Sequence, residues 1–198
     1  MKIKVCGMKD PQNIKDVASL DPDFMGFIFY KKSARYVDTS LLKNAVRELP
    51  SSILRVGVFV DEEIDIVNSL SDKLGLDFIQ LHGNESAAYC NLVKKPVIKA
   101  FRVHAKFNPS ILDAYEVEAF LFDNYKKNEL GGTGETFDWN LIANIKISIP
   151  IILSGGLNVI NVMNSIEKIS PAAIDLNSGV ESYPGVKDED KISEIFKK

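Results

Sequence analysis

Residues 24–29 read FMGFIF, and residues 119–122 read AFLF. Both runs are apolar almost throughout, which is typical of strands buried on both faces of a parallel sheet. Six more short, β-rich runs accompany them: Lys2–Cys6, Ile53–Val60, Phe78–Leu81, Val97–Arg102, Ile151–Leu153 and Ala173–Leu176. The sequence therefore predicts eight strands that pair in parallel.

Helical patterns separate these strands. Asp10-Pro11 has the residue types of an N-cap and a first helical position, and residues 61–63 read DEE, which favours a helix N-terminus. Further helices are predicted to begin near Glu85, Asp138, Asn158 and Asp188. Eight strands alternating with about eight helices over 198 residues predict a (β/α)₈ TIM barrel, as a single compact domain spanning residues 1–198.

A doubly wound open sheet is the alternative α/β fold. Such a sheet often carries a G-x-G-x-x-G turn after its first strand, whereas residues 6–9 read CGMK. The chain is also close to the minimum length for a barrel, so most loops must be short and no second domain or linker fits. These observations favour the barrel.

Charge and composition exclude several classes of protein. The net charge of −3, with scattered lysines, leaves no basic stripe for nucleic acid, and no apolar run approaches the length that spans a bilayer. Cys6 and Cys90 match neither a disulfide framework nor a zinc motif, which fits a reducing compartment. We therefore predict a soluble, cytoplasmic protein without nucleic-acid or membrane partners, in which Cys90 packs in the core.

Two apolar runs end in glycine turns, IILSGG at residues 151–156 and AIDLNSG at residues 173–179. Glycine lets the backbone approach a ligand, and free N–H groups at such turns attract anions. In a barrel, these turns follow strands seven and eight, where phosphate sites are common. The residues expected to bind a phosphate are Gly155, Gly156, Ser178 and Gly179.

Four polar side chains are predicted to gather where the barrel strands end: Cys6, Arg35, Asp123 and Asp175. Cys6 is either a buried packing residue or, as a thiolate, a base. Asp123 follows an apolar strand that could raise its pKa and keep it protonated as an acid, although it could also cap a turn. Arg35 could grip a carboxylate or remain a solvated loop charge.

A metal site is a further hypothesis, because His82 and His104 follow adjacent predicted strands. Such a site needs converging carboxylates, which the sequence does not plainly supply. We therefore predict no metal site and favour acid–base chemistry on a small phosphorylated substrate.

Ordered motifs along the whole chain resemble the phosphoribosylanthranilate isomerase family. They are KVCG (4–7), KSARY (32–36), VGVFV (56–60), QLHG (80–83), GGTG (131–134), FDW (137–139) and LSGGL (153–157). The resemblance implies a cofactor-free Amadori rearrangement of N-(5-phosphoribosyl)anthranilate to the 1-deoxyribulose 5-phosphate isomer, in tryptophan biosynthesis.

The same resemblance implies a role for each polar group. Asp123 would protonate the ribose ring oxygen, and the Cys6 thiolate would then remove the proton from the second carbon of the sugar. Arg35 would hold the anthranilate carboxylate, and Asp175 would contact the substrate near its nitrogen. The loop Gly131–Gly134 would close over the ligand, and the protein would act as a monomer or homodimer.

Two other functions are kept as alternatives. One is a related phosphosugar isomerase of the kind used in histidine synthesis, although Cys6 and the lack of a two-fold repeated barrel argue against it. The other is a barrel that binds a phosphorylated metabolite without converting it, which the presence of both an acid and a base argues against.

Overall fold

The computed structural model describes residues 1–124 and 136–198, apart from the side chains of residues 41 and 43. The predicted closing loop Gly131–Gly134 therefore lies outside the described residues. Among the described helices, none is both long and apolar enough to cross a membrane.

Eight parallel strands close into a barrel in chain order, so the predicted (β/α)₈ fold is confirmed. The strands are β1 (Lys2–Cys6), β2 (Phe24–Ile28), β3 (Leu54–Phe59), β4 (Phe78–Leu81), β5 (Val97–Val103), β6 (Ala119–Asn124), β7 (Ile151–Leu153) and β8 (Ala173–Leu176). The barrel closes where β8 pairs with β1, with Lys4 opposite Asp175. This register brings residues from the two ends of the chain side by side.

Helices follow the strands on the outside of the barrel. They are α1 (Pro11–Ala18), α2 (Thr39–Arg47), α3 (Ile64–Leu74), α4 (Ala87–Cys90), α5 (Asn140–Ala143), α6 (Val162–Ile169) and α7 (Glu189–Phe196). Between β5 and β6 a short 3₁₀ segment, Pro109–Ala114, replaces an α-helix. Among the described residues the barrel therefore has seven α-helices rather than eight.

Side-chain caps explain where several helices begin. Asp10 accepts a hydrogen bond from the Asn13 N–H at 2.8 Å with Pro11 at the first helical position, as the sequence predicts. Asp188 caps α7 in the same way, through the N–H of Lys191. These short helices are thus placed by local hydrogen bonds as well as by packing.

Two apolar clusters fill the space inside and around the barrel. Alternate residues of several strands meet in the smaller cluster, among them Phe24, Val56, Ile98, Leu121 and Ile152. The larger cluster lies mainly between strands and helices. Because side chains alternate between the two faces of each strand, those that point inward fill the interior of the barrel. Ligands therefore bind at the ends of the strands.

A small hairpin lies between β8 and α7. After β8, a 3₁₀ turn, Ser178–Val180, leads into β9 (Glu181–Tyr183), which pairs antiparallel with β10 (Val186–Lys187). This hairpin has no counterpart among the strands predicted from the sequence. It carries two charged side chains, Glu181 and Lys187, toward the mouth of the barrel.

Candidate active site

A cleft opens at the carboxyl ends of the strands. The barrel brings to this cleft all eight residues singled out from the sequence: Cys6, Arg35, Asp123, Gly155, Gly156, Asp175, Ser178 and Gly179.

Cys6 lies at the end of β1 beside a buried ion pair. The Lys4 ammonium, two residues earlier on the same strand face, bonds the Asp175 carboxylate at 2.8 Å, and both side chains are buried. The positive charge of Lys4 also favours the thiolate form of Cys6. Sequence reasoning missed Lys4, although strand periodicity places residues 4 and 6 on the same face.

The pKa of the Cys6 thiol is raised above its ordinary value. Burial is the largest cause, and the Lys4 ammonium opposes it without cancelling it. For Lys4 the balance differs: burial lowers the pKa of its ammonium, but Asp175 and Cys6 raise it above its ordinary value overall. Lys4 therefore remains a cation and supplies the positive charge that a thiolate at Cys6 needs.

Space for the Cys6 sulfur depends on a glycine in the neighbouring strand. Gly26 is the register partner of Cys6 on β2, and a Cβ at residue 26 would lie 2.7 Å from Cys6 Sγ. Any larger residue would therefore push the sulfur out of place.

Asp123 is the penultimate residue of β6 and belongs to a chain of side-chain hydrogen bonds. His82 Nε2 lies 3.2 Å from Asp123 Oδ2, and His82 Nδ1 lies 2.9 Å from Gln80 Nε2. In the tautomer with its proton on Nε2, the imidazole accepts from the Gln80 amide at Nδ1 and donates to Asp123 at Nε2. The other oxygen, Asp123 Oδ1, accepts from the N–H of Asn124 at 2.8 Å.

His82 thus contacts Asp123, the predicted acid. This contact was not predicted from the sequence. His82 lines the cleft, whereas His104 does not, so the two histidines do not meet there. In the ranges 1–124 and 136–198, no group of three or more His, Cys, Asp or Glu side chains is arranged to hold a metal ion.

Arg35 is held by an ion pair with Glu181. Its Nε and Nη2 atoms donate to the two carboxylate oxygens at 2.9 and 2.7 Å, and the arginine side chain is only 11% exposed. The alternative interpretation of Arg35 as a solvated loop charge is therefore wrong. The guanidinium nevertheless lines the cleft.

Both glycine turns line the cleft. Gly155 and Gly156 have φ values of 90° and 65°, in the left-handed region that favours glycine. A Cβ at residue 155 would lie 2.9 Å from the N–H nitrogen of Asn124. Within the described residues no acceptor pairs with the N–H groups of Gly155, Gly156, Ser178 or Gly179. These groups can therefore bind an anion.

Comparison with known proteins gives one consistent family. Residues 3–198 match the family described as N-(5'-phosphoribosyl)anthranilate (PRA) isomerase. An N-(5'-phosphoribosyl)anthranilate isomerase from Geobacter sp. strain M21 is 43% identical over 191 residues, which are 96% of this chain and 94% of the relative.

Solved structures agree with this match. The crystal structure of phosphoribosyl anthranilate isomerase from Thermus thermophilus superposes with a TM-score of 0.89 at 29% identity, covering 100% of this chain and 97% of that one. Another phosphoribosyl anthranilate isomerase, in complex with reduced 1-(o-carboxyphenylamino)-1-deoxyribulose 5-phosphate, has a TM-score of 0.83 at 32% identity, with coverages of 100% and 97%.

Proposed function

The chain belongs to the N-(5'-phosphoribosyl)anthranilate isomerase family, and on that premise we propose how the cleft residues divide the reaction among them. The activity is the isomerisation of N-(5'-phosphoribosyl)anthranilate in tryptophan biosynthesis. Chemically it is an Amadori rearrangement, which opens the ribose ring and moves a proton from the second carbon of the sugar. It therefore requires one general acid and one general base.

The phosphate of the substrate binds at the two glycine turns. Four backbone N–H groups that have no acceptor among the described residues lie at these turns, and they attract the anion. The ligand bound to the related solved structure carries a phosphate at one end and a carboxylate at the other. Anchoring the phosphate fixes the sugar over the strand ends, where the acid and the base lie.

Asp123 acts as the acid and donates its proton to the ring oxygen of the ribose. Ring opening gives an iminium ion between the sugar and the anthranilate nitrogen. His82, 3.2 Å from Asp123, stabilises the carboxylate that results, because its Nε2–H donates to that carboxylate.

Cys6 acts as the base, as a thiolate, and removes the proton from the second carbon. The enolamine formed in this step tautomerises to the ketone product. Lys4 stabilises the thiolate, and the burial of Cys6 keeps bulk water from it. After each turnover Cys6 has gained a proton and Asp123 has lost one, so the thiol must give up its proton and the carboxylate must take one up before the next cycle.

The far end of the substrate binds at Arg35 and Asp175. Arg35 pairs with the anthranilate carboxylate, and Asp175 contacts the substrate near its nitrogen, where positive charge develops in the iminium ion. Both side chains line the cleft together with Cys6 and Asp123.

A single observation carries this proposal: one cleft holds a thiol beside a buried cation, a carboxylate beside a histidine, and backbone N–H groups with no acceptor in the part of the chain that the structure describes. The test follows the loss of substrate fluorescence catalysed by purified protein. We expect Cys6→Ser and Asp123→Asn each to lower kcat by about 10²- to 10⁴-fold.

Cys90→Ser is the matched control, since Cys90 is also buried but lies on α4 outside the cleft. It should leave kcat within about twofold of the wild-type value, because surface and core changes that leave a site intact have small effects on catalysis. Turnover at the wild-type rate in either Cys6→Ser or Asp123→Asn would contradict the proposed mechanism.

Three further aspects belong to this proposal. Residues 1–198 act as one catalytic domain, and they act in the cytoplasm, which is supported by two free cysteines. The protein works as a monomer or a homodimer, which light scattering at several protein concentrations distinguishes.

A further inference from the structure

Glu181 lies next to the cleft without lining it. Its carboxylate accepts four hydrogen bonds: two from Arg35, one from the Gly185 N–H at 3.0 Å and one from Lys187 Nζ at 2.7 Å. Arg35 lines the cleft, but Glu181 and Lys187 do not. Glu181 therefore holds the guanidinium from the side away from the ligand.

This arrangement uses only part of the guanidinium. Arginine has five N–H donors, and Glu181 takes one on Nε and one on Nη2. Among residues 1–124 and 136–198, no other group accepts from the Arg35 side chain, so both Nη1 donors and one Nη2 donor remain. They form the second edge of the guanidinium, which can bind another carboxylate in bidentate fashion.

The charge of the cluster also suits an anionic ligand. An arginine paired with one carboxylate alone would be neutralised, but here two cations, Arg35 and Lys187, share the single Glu181 carboxylate. The cluster keeps a net positive charge, so it still attracts a carboxylate from the substrate.

Further contacts hold this cluster rigidly against the strand ends. The Lys187 ammonium also bonds Asn177 Oδ1 at 2.9 Å, and the Lys187 backbone exchanges two hydrogen bonds with the side chain of Asn13 on α1. Gly7 leaves room for the arginine, since a Cβ at residue 7 would lie 2.8 Å from Arg35 Cδ. The guanidinium is therefore fixed in place before any ligand arrives.

We propose that Glu181 is a positioning residue for substrate specificity: it presents the free edge of Arg35 to the anthranilate carboxylate and so lets the enzyme distinguish carboxylated from uncarboxylated aryl groups. The proposal rests on the role of Arg35 given above. It assigns the β9–β10 hairpin a part in substrate recognition.

The test measures the binding of two ligands by calorimetry. One is reduced 1-(o-carboxyphenylamino)-1-deoxyribulose 5-phosphate, and the other is the same compound without its carboxyl group. The ratio of the two Kd values is the carboxylate preference. A loss of phosphate binding or a general weakening of the site changes both Kd values and leaves this ratio unchanged.

We expect Arg35→Met to lower the carboxylate preference by about 10- to 100-fold, which is the contribution that charge-assisted hydrogen bonds typically make to binding. Glu181→Gln should lower it by about tenfold or more, and should have no further effect in the Arg35→Met background. Glu181→Asp keeps the charge that Lys187 needs but has a shorter reach, so it provides the same test if Glu181→Gln fails to fold.

Asp77→Asn is the matched control, because Asp77 pairs with Arg55 away from the cleft, and it should leave the preference unchanged. If Arg35→Met lowers the preference and the Glu181 variants do not, the inference fails and the role of Arg35 stands. If Glu181→Gln lowers the carboxylate preference as much in the Arg35→Met background as in the wild-type protein, Glu181 acts independently of Arg35 and the inference also fails. If Arg35→Met leaves the preference unchanged, the proposed role of Arg35 fails first.

Discussion

Replacement of Lys4 by methionine tests the electrostatics of the proposed base. The Lys4 ammonium lies 2.8 Å from Asp175 Oδ1, with side-chain exposures of 0% and 4%. Removing one partner of a buried ion pair costs about 3–5 kcal/mol of stability. The variant also removes the charge of Lys4, which opposes the effect of burial on Cys6, and leaves the Asp175 carboxylate in place, so the pKa of the thiol should rise further above its already raised value.

The size of the kinetic effect follows from the charge that is lost. A neighbouring opposite charge shifts a pKa by about 1–3 units, and each unit changes the thiolate fraction about tenfold below the pKa. We therefore expect Lys4→Met to lower kcat/KM near neutral pH by about 10- to 1,000-fold. Because thiolate forms as pH rises, the deficit should shrink at high pH, and the ascending limb of the pH profile should move to higher pH.

The assay is the pH dependence of kcat/KM from about pH 6 to about pH 10, with denaturant unfolding of the same samples. Lys99→Met is the matched control: Lys99 is equally buried and pairs with Glu85 at 2.7 Å, but it lies outside the cleft. We expect it to lose a similar amount of stability and to keep the wild-type pH profile. A Lys4→Met enzyme with an unshifted ascending limb would refute the role given to Lys4.

Three other predictions concern single features of the cleft. Gly26→Ala should lower kcat in steady-state assays while the far-ultraviolet circular dichroism is retained, because the new Cβ would meet Cys6 Sγ; the overpacking should cost about 1–3 kcal/mol of stability in denaturant titrations. Gly155→Ala should raise KM, since φ near 90° strains an alanine and the turn would move the phosphate donors; an unchanged KM would contradict the assignment of this turn. Although burial raises the pKa of the Glu181 carboxyl, Arg35 and Lys187 outweigh it and hold that pKa below its ordinary value. The carboxylate therefore contributes stability at neutral pH that is lost as pH falls below about 4.5, and acid titrations of unfolding should show a weaker pH dependence for Glu181→Gln.

The strands of the barrel could be predicted from sequence because each is buried on both faces. Runs such as residues 24–29 and 119–122 are typical of strands that are covered on both faces of a parallel sheet. Because the chain has eight short runs of this kind, they predict a barrel. The 3₁₀ segment after β5 was harder to foresee. Its six residues begin with a proline and are too few for a stable α-helix of their own.

The predicted residues do line the cleft, but the side chains with which they form ion pairs could not be predicted from the sequence. Cys6 and Asp123 lie where strands end. The topology of a barrel alone places the carboxyl ends of all its strands on the same face. The pairs Lys4–Asp175 and Arg35–Glu181 join residues 171 and 146 positions apart, so no local pattern reveals them. The β9–β10 hairpin did leave a signal, since Pro184-Gly185 is a typical turn dipeptide between two short polar runs.

The seam between β1 and β8 has a consequence for how the enzyme is made. Lys4 is translated well before Asp175, yet the two face each other in register across that seam. A nascent chain that has released only the first seven strands has Cys6 and Asp123 but lacks Asp175 and the second glycine turn. Catalytic activity should therefore appear only after β8 has left the ribosome, and its onset would report closure of the ring in a translation-coupled assay.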